Sequence, residues 1–397
     1  MELTTKKYFM KRLGHLLLAT AGCTALLLLA GCSGKNRQQA ADTSDAPAGV
    51  AFAEPIVPAY AEGFHVNYTD SCCLLEIADP QQEQRRMFRY ALVPRGRCPE
   101  RLPEGYAPIE VPVRSVICMT SLQLSNFIKL DELQRVTGIT STRHLFNATI
   151  REQLAAGKTH KIGIEGNFDN EVILGIHPDV ILISPFKRGG YDALREVGIP
   201  LIPHLGYKET SPLGQAEWVK FVGLLTGTEE KANRVFADIE QRYLHWKELA
   251  AHVTERPTVF SGDMRGGNWY AAGGRSFLAR LFEDAGADYF LKDNPQSGGV
   301  TFDFETVYEQ AATARYWRIV NSHPGTYSYD QLKAEDARYA DFRAFREKGV
   351  IYCNMTRKPY YESMPVEPDR ILADLIHVFH PELLPADYEP AYYDLLR

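Results

Sequence analysis

The chain has 397 residues, of which 45% are hydrophobic and 24% charged, and its formal net charge is -6 at pH 7. A chain of this length can form two domains, each with its own hydrophobic core. Acidic and basic residues are mixed along the whole sequence, and this argues against nucleic acid as a partner, because nucleic-acid binding needs a concentrated basic surface.

Residues 1–31 have the pattern of an export signal. Basic residues between positions 6 and 12 precede an apolar run of about 15 residues, which is shorter than a membrane span. The run ends in Leu29, Ala30, Gly31 and Cys32, an ending that resembles the bacterial lipobox, in which the cysteine is acylated. An ordinary signal with a chance cysteine, or a weaker lipobox ending at Cys23, are the alternatives.

Residues 32–56 predict a flexible tether, because they are rich in Gly, Ser, Asp, Gln, Ala and Pro. A flexible segment of roughly 20 residues spans about 25 Å on average. A lipid on Cys32, the only covalent group expected, would hold the folded body close to a membrane. We therefore expect an exported protein that faces the periplasm from the outer face of the inner membrane or from the outer membrane.

Residues 57–110 predict a small β-hairpin or sheet without evident chemistry. Apolar and polar residues alternate from Phe64 to Tyr68, and two further segments are rich in strand-forming residues. An exported chain can oxidise its thiols, so Cys98 could form a disulfide with Cys72 or Cys73. The alternative is that the cysteines are buried as small apolar residues.

Residues 111–211 and 254–397 predict two Rossmann-like α/β lobes with mostly parallel sheets, because strand and helix patterns alternate in both. The predicted strands of the two lobes are Val113–Met119, Val136–Ile139, Pro178–Ser184, Pro200–Pro203, Thr258–Ser261, Tyr316–Val320 and Val350–Cys353. The predicted helices are Leu122–Leu133, Asn170–Gly175, Tyr191–Val197, Ser276–Ala285, Phe304–Glu309 and Arg370–Phe379.

Residues 212–253 show no strand pattern and predict the helices that link the lobes. The second of these helices repeats apolar residues every three or four positions over about 24 residues without Pro or Gly. At 1.5 Å per residue it would be roughly 35 Å long. The predicted architecture is therefore two α/β lobes joined by one long helix.

This order resembles the helix-linked (class III) periplasmic binding proteins of ABC importers, from about Val111 to Leu384. The resemblance rests on five segments, namely Val116–Ser121, Asn170–Ile181, the long helix, Gly273–Ala287 and Phe304–Val307. It implies a lipoprotein that captures a ferric siderophore, haem or cobalamin in the cleft between the lobes. The iron or cobalt chelate would then pass to a membrane permease driven by its ATPase.

The resemblance also implies two docking residues. Family members present a glutamate at a helix start in each lobe, which pairs with arginines of the permease, and Glu171 and Glu305 match these positions. Two like charges set far apart on one face fix the docking orientation. The alternative is that both are ordinary glutamates stabilised by the helix dipole.

Ligands of open α/β sheets bind beyond the carboxyl ends of the strands, where this sequence is rich in Arg, Lys, Tyr and Trp. Arginine pairs with carboxylates or catecholates, and aromatic faces stack on rings, so this composition fits a flat, partly anionic chelate. Any single aromatic could equally be a core or rim residue. The candidate ligand residues are Met119, Thr120, Glu165, Phe186, Lys187, Tyr207, Met264, Arg265, Trp269, Tyr327, Arg357 and Tyr360.

Three other functions are alternatives. A Zn²⁺ or Mn²⁺ binding protein needs converging ligands, and His144, His204 and His323 lie near loops but without an HxH motif or a dense tract, so no metal site is predicted. A chelate-processing enzyme could use Glu165 or Asp263, yet no GxSxG, Walker, GxGxxG or HExxH motif occurs, so no catalytic residue is predicted. The third is a membrane receptor or scaffold without a ligand.

Overall fold

A computed structural model describes residues 54–82, 86–97, 101–140, 142, 145–164, 167–184, 191–196 and 198–397. The predicted export signal and most of the tether lie outside the described residues. So do Cys32, Cys98, His144, Glu165, Phe186 and Lys187. The described residues belong to one compact unit, and no helix among them is long and apolar enough to cross a membrane. The predicted domain boundaries stay predictions.

The amino-terminal extension forms a four-stranded sheet, as its alternating pattern predicts. Its strands are β1 (Phe64–Tyr68), β2 (Cys73–Ile77), β3 (Phe88–Pro94) and β4 (Ala107–Val111). The order is β1-β2-β3-β4, with only the β3/β4 pair parallel. Cys72 and Cys73 are free and buried, which agrees with the interpretation of small apolar residues.

Two buried carboxylates hold the segment before β1 against the first linking helix. Glu217, which is 0% exposed, accepts hydrogen bonds from the backbone N–H groups of Ala59, Tyr60 and Ala61. Glu209 accepts from the N–H groups of Glu62 and Gly63. Because these charged bonds satisfy the backbone of the segment, they fix the extension to the body.

The first lobe contains a five-stranded parallel sheet in the order β11-β10-β5-β6-β7. All four residues of β10 are buried, as expected for a strand covered on both faces. The elements are β5 (Val116–Cys118), α1 (Ser121–Leu130), β6 (Val136–Ile139), α2 (Ala148–Ala155), β7 (His160–Lys161), β8 (Gly163–Ile164), β9 (Asn167–Phe168), α3 (Asn170–Ile176), β10 (Val180–Ile183), α4 (Tyr191–Glu196) and β11 (Leu201–Pro203).

Two helices follow, α5 (Pro212–Thr226) and α6 (Glu229–Ala251). The Ser211 hydroxyl caps α5, and Gly227 ends it with a φ of 71°, a left-handed conformation that suits glycine. Every residue of α5 is buried. The 23 residues of α6 give a length of roughly 35 Å, which confirms the predicted long helix.

The second lobe contains a five-stranded sheet in the order β15-β12-β17-β18-β19, in which only β19 is antiparallel. The elements are β12 (Thr258–Ser261), β13 (Asp263–Arg265), β14 (Asn268–Ala272), α7 (Phe277–Asp284), β15 (Asp288–Tyr289), β16 (Gly299–Phe302), α8 (Phe304–Ala311), β17 (Tyr316–Asn321), α9 (Tyr329–Glu335), α10 (Arg343–Arg346), β18 (Val350–Asn354), α11 (Tyr360–Ser363), α12 (Pro368–Phe379) and β19 (Asp394–Leu395). The predicted α/β fold with mostly parallel sheets is confirmed.

One segment of the second half crosses to the first lobe. Helix α11, which follows β18, packs against α1. Its Glu362, only 1% exposed, accepts hydrogen bonds from the backbone N–H groups of Phe146 and Asn147 at 2.9 and 3.1 Å. A buried carboxylate thus ties the two halves together beside the carboxyl ends of the strands.

Candidate ligand site

Two cavities lie at the carboxyl ends of the two parallel sheets, and the half-buried Tyr207 lines both. The larger one has a volume of about 260 Å³. Its walls come from the first half through Gln81, Tyr207 and Glu209, and from the second half through Ser261, Gly262, Arg265, Tyr270–Ala272, Ser276–Leu278, Ser297–Gly299 and Arg318. The larger cavity therefore lies between the two lobes, where the sequence predicts the ligand.

Arg318 provides the positive charge of the larger cavity. It lies on β17, paired with Ser261 at the carboxyl end of β12. Its guanidinium forms no ion pair with a described carboxylate, although the Asp263 carboxylate is near enough to interact with its charge, and its Nη1 group makes no hydrogen bond with a described residue. A partly buried cation without a carboxylate in direct contact is costly to a protein and is typical of an anion-binding site.

Two phenol oxygens hold the guanidinium of Arg318. Its Nη2 donates to the Tyr360 hydroxyl at 2.9 Å, and its Nε donates to the Tyr393 hydroxyl at 2.9 Å. Burial lowers the pKa of Arg318, but the Tyr393 and Tyr360 oxygens outweigh burial, so the pKa lies above its usual range and the group stays charged. The guanidinium is therefore fixed by neutral partners that leave its charge available.

A buried aspartate positions the tail that carries Tyr393. Asp374, which is 0% exposed, accepts hydrogen bonds from the backbone N–H groups of Tyr392 and Tyr393 at 2.6 and 3.0 Å. It also accepts from the Tyr388 hydroxyl. Asp374 thus fixes the backbone of Tyr393, and the Tyr393 hydroxyl in turn holds Arg318 at the cavity wall.

The other charged groups of the larger cavity are already paired. Arg265 forms an ion pair with Asp263 at 2.9 Å and lies over the ring of Tyr270. The Glu209 carboxylate accepts hydrogen bonds from the backbone N–H groups of Glu62 and Gly63 and from the indole N–H of Trp218. Arg318 is consequently the cation of this wall that is free to bind a ligand anion.

The smaller cavity lies in the first lobe and is polar. Thr120, Ser184 and His204 follow the carboxyl ends of β5, β10 and β11 and line it together with Asn126 and Gln215. The side-chain carbonyl oxygens of Asn126 and Gln215 are buried and have no hydrogen-bond partner. The volume of about 10 Å³ is enough for one water molecule.

His204 contributes a neutral imidazole to the smaller cavity. Burial lowers its pKa to about 3, and its ring packs 4.7 Å from that of Trp218. The Nε2 atom lies 3.1 Å from the side-chain nitrogen of Asn126. The described residues that line the smaller cavity therefore present hydrogen-bonding groups without a cation.

The structure brings part of the predicted ligand set together. Tyr207 and Arg265 line the larger cavity, and Thr120 lines the smaller one. Met119 is buried, and Met264 is half-buried and donates its backbone N–H to the Tyr339 hydroxyl. The predictions for Glu165, Phe186 and Lys187 lie outside the described residues.

The remaining predicted ligand residues do not line either cavity. Trp269 is a correction, because it is 0% exposed and its indole donates to the Ser261 carbonyl within an aromatic core. Tyr327 is 5% exposed and its hydroxyl donates to Glu335, while Tyr360 serves by holding Arg318. Arg357 is exposed.

Sequence reasoning missed Arg318, which lies inside a segment interpreted only as a strand. The available signal was a single charge within the apolar run Tyr316–Asn321, a pattern that is costly in a buried strand and marks a functional residue. Its partners Tyr360 and Tyr393 are 42 and 75 residues away in the sequence. No local pattern connects them.

The structure places both predicted docking glutamates as exposed residues of a first helical turn. Glu171 lies in α3 and Glu305 in α8. Glu305 pairs with Arg338 at 3.5 Å, whereas Glu171 forms no ion pair with a described residue. Their docking role stays a prediction.

No group of three or more His, Cys, Asp or Glu side chains suited to a metal ion occurs in the part of the chain that the structure describes. His204 is neutral and hydrogen-bonded near Asn126, and His323 packs against Tyr327. These two histidines thus have other contacts.

Two lobes with mostly parallel sheets, a long linking helix and a ligand cavity at the carboxyl ends define a two-lobed substrate-binding protein. A model of the periplasmic binding protein family matches residues 116–355, from the start of β5 to just after β18. The chain belongs to this family. Its members bind substrates and are not enzymes.

Curated relatives of this chain include an archaeal lipoprotein. An uncharacterized lipoprotein of Methanocaldococcus jannaschii is 25% identical over 252 residues, 62% of this chain. The match spans 63% of that relative's own length.

Solved structures share the fold. A periplasmic haem-binding protein of Pseudomonas aeruginosa is 17% identical with a TM-score of 0.56, and the match covers 72% of this chain and 98% of that one. The molybdate-binding protein MolA of a Haemophilus influenzae ABC transporter is 14% identical with a TM-score of 0.53, and the match covers 68% and 87%. The four-stranded extension and the tail with Tyr393 lie outside the family match.

Proposed function

We propose that this chain captures an anionic metal chelate for an ABC importer, with a ferric siderophore, haem or cobalamin as the ligand class. The single observation that carries the proposal is Arg318, a guanidinium at the inter-lobe cavity that forms no ion pair with a described carboxylate. Carboxylates, catecholates and phosphates are the groups that an arginine fork binds. Haem, cobalamin and the catecholate or carboxylate siderophores carry groups of this kind.

The cavity volume decides how such a ligand would be placed. About 260 Å³ lies just below the range of roughly 300–1,000 Å³ that is usual for small-molecule pockets. A large chelate would therefore insert its anionic edge between Arg318 and Tyr207 and leave the rest at the cavity mouth. The exposed ring of Tyr270 offers a stacking surface at that position.

Membrane attachment and delivery complete the proposal. Cys32 would carry the lipid, and the similarity to an archaeal lipoprotein supports this assignment. The protein would face the periplasm and dock on its permease through Glu171 and Glu305, after which ATP hydrolysis would open the lobes. Exposed carboxylates on both lobes support a basic partner surface.

A small oxyanion is the second candidate ligand. The modest cavity volume favours it, and the similar Haemophilus protein binds molybdate. Molybdate would use the same guanidinium without needing a stacking surface.

The test is calorimetric titration of the purified protein with haem, cobalamin, a catecholate and a hydroxamate ferric siderophore, molybdate, Zn²⁺ and Mn²⁺. We expect saturable binding of one chelate class with a dissociation constant of about 1 μM or tighter, equivalent to about -8 kcal/mol. Saturation by molybdate alone would favour the oxyanion. Binding of Zn²⁺ or Mn²⁺ alone would contradict the chelate proposal.

A further inference from the structure

Helices α3 and α8, one in each lobe, begin in the same way. The Asp169 carboxylate accepts the N–H of Val172 at 3.0 Å, and the Asp303 carboxylate accepts the N–H of Thr306 at 2.6 Å. The second residue of each helix is the exposed glutamate, Glu171 or Glu305. The capping aspartates thus fix both glutamates at equivalent positions.

A large exposed apolar residue follows each glutamate by three positions. Leu174 is 46% exposed and Tyr308 is 37% exposed. Residues three apart on a helix lie on the same face, so each glutamate has an apolar neighbour beside it. Large apolar side chains with this exposure are few among the described residues, and two of them share this position.

We propose that Leu174 and Tyr308 are apolar anchors of the permease contact, each beside its docking glutamate. This inference rests on the proposed function, because it takes the permease as the partner. The partner surface must offer a basic group next to an apolar pocket, and it must offer this pair twice. Tyrosine is enriched among the residues that dominate binding energy at interfaces, and such residues fill well-packed pockets of the partner.

The two contacts differ in their charge. Arg338 lies 3.5 Å from Glu305, 2.7 Å from Asp336 and 4.1 Å from the ring centre of Phe304. Part of the charge of Glu305 is therefore neutralised before docking, whereas Glu171 has no ion pair with a described residue. The Tyr308 ring stacks on Phe304, so the second contact depends more on its aromatic surface.

The experiment measures binding of the full-length protein to the permease and ATPase of an ABC importer from the same organism, reconstituted in lipid nanodiscs. The variants are Leu174→Ala and Tyr308→Ala. Leu244→Ala and Tyr361→Ala are matched controls, because these residues are 43% and 37% exposed and lie on α6 and α11. Glu171→Ala and Glu305→Ala report on the proposed function itself.

We expect each anchor variant to weaken permease binding about 10-fold, as loss of an interface anchor does, and each control to change it less than about twofold. Ligand affinity should stay unchanged in all four. If the glutamate variants weaken binding but the anchor variants behave like the controls, the inference is overturned and the proposed function survives. If the glutamate variants also have no effect, the docking part of the proposed function fails as well.

Discussion

The two lobes present opposite chemistry to the ligand site. The second lobe offers the charged guanidinium of Arg318, held by two phenols, whereas the described residues of the smaller cavity offer neutral groups around His204 and two unpartnered amide oxygens. A cation selects anionic groups, and carbonyl oxygens select hydrogen-bond donors. We therefore expect a ligand to turn its acidic edge to the second lobe and its neutral polar edge to the first.

The largest expected effect is the loss of the cation in Arg318→Met. Truncating one partner of a buried charge pair costs about 2–5 kcal/mol, so affinity for the chelate should fall by about 30-fold to several thousand-fold. Calorimetric titration measures the change. Arg265→Met is the control, since Arg265 is 58% exposed and already paired with Asp263, and we expect its effect to stay below about fivefold. Equal effects of the two substitutions would remove the special role of Arg318.

The second effect concerns the neutral histidine of the first lobe. Burial lowers the pKa of His204 to about 3. Between this value and the ordinary pKa near 6.5, the imidazole binds a proton in the unfolded chain but not in the folded protein. Stability from this group is present above pH 6.5 and is lost as the pH falls, by about 2 kcal/mol between pH 7.5 and pH 5. Urea unfolding of wild type and His204→Gln at both pH values measures it. The variant should lose less stability on acidification; an unchanged pH dependence would contradict the neutral state of His204.

The smallest effect separates the two phenols that hold Arg318. Tyr393→Phe removes the acceptor of Nε, and Tyr360→Phe removes one acceptor of Nη2. A hydrogen bond to a charged group contributes about 1.5–3 kcal/mol, part of which the remaining phenol retains, so we expect a loss of affinity of about 5-fold in each.

A role confined to stability would lower the melting temperature of these phenol variants without changing the affinity at 25 °C. The control is Tyr388→Phe, because Tyr388 also bonds Asp374 but does not touch Arg318. Its affinity should match wild type.

The fold was largely predictable because its signals are local. The alternation in β1, the continuous apolar run of β10 and the apolar spacing of α6 all gave the correct element. The lobe assignment was less complete, because α11 lies in the second half of the sequence but packs against α1. Contacts between distant segments leave no periodic pattern.

The ligand site was only partly predictable. Strand β14 alternates between exposed and buried residues, so Trp269 points into the core while Tyr270 reaches the cavity. The sequence shows that neighbouring residues of a strand face opposite sides but not which of these two aromatic residues faces the core. To find Arg318 from the sequence, one would have to infer that a single charged residue inside an apolar strand is functional. Its support by Tyr393 depends on a tail that returns to the sheet as β19.

The most direct test of the central claim is a crystal structure of the protein with the chelate that binds best in the titration panel. We predict a carboxylate, catecholate or phosphate oxygen of the ligand within about 3 Å of the Arg318 guanidinium, with the ligand between the two lobes. A ligand bound elsewhere, or one that leaves Arg318 without an anionic partner, would contradict the account.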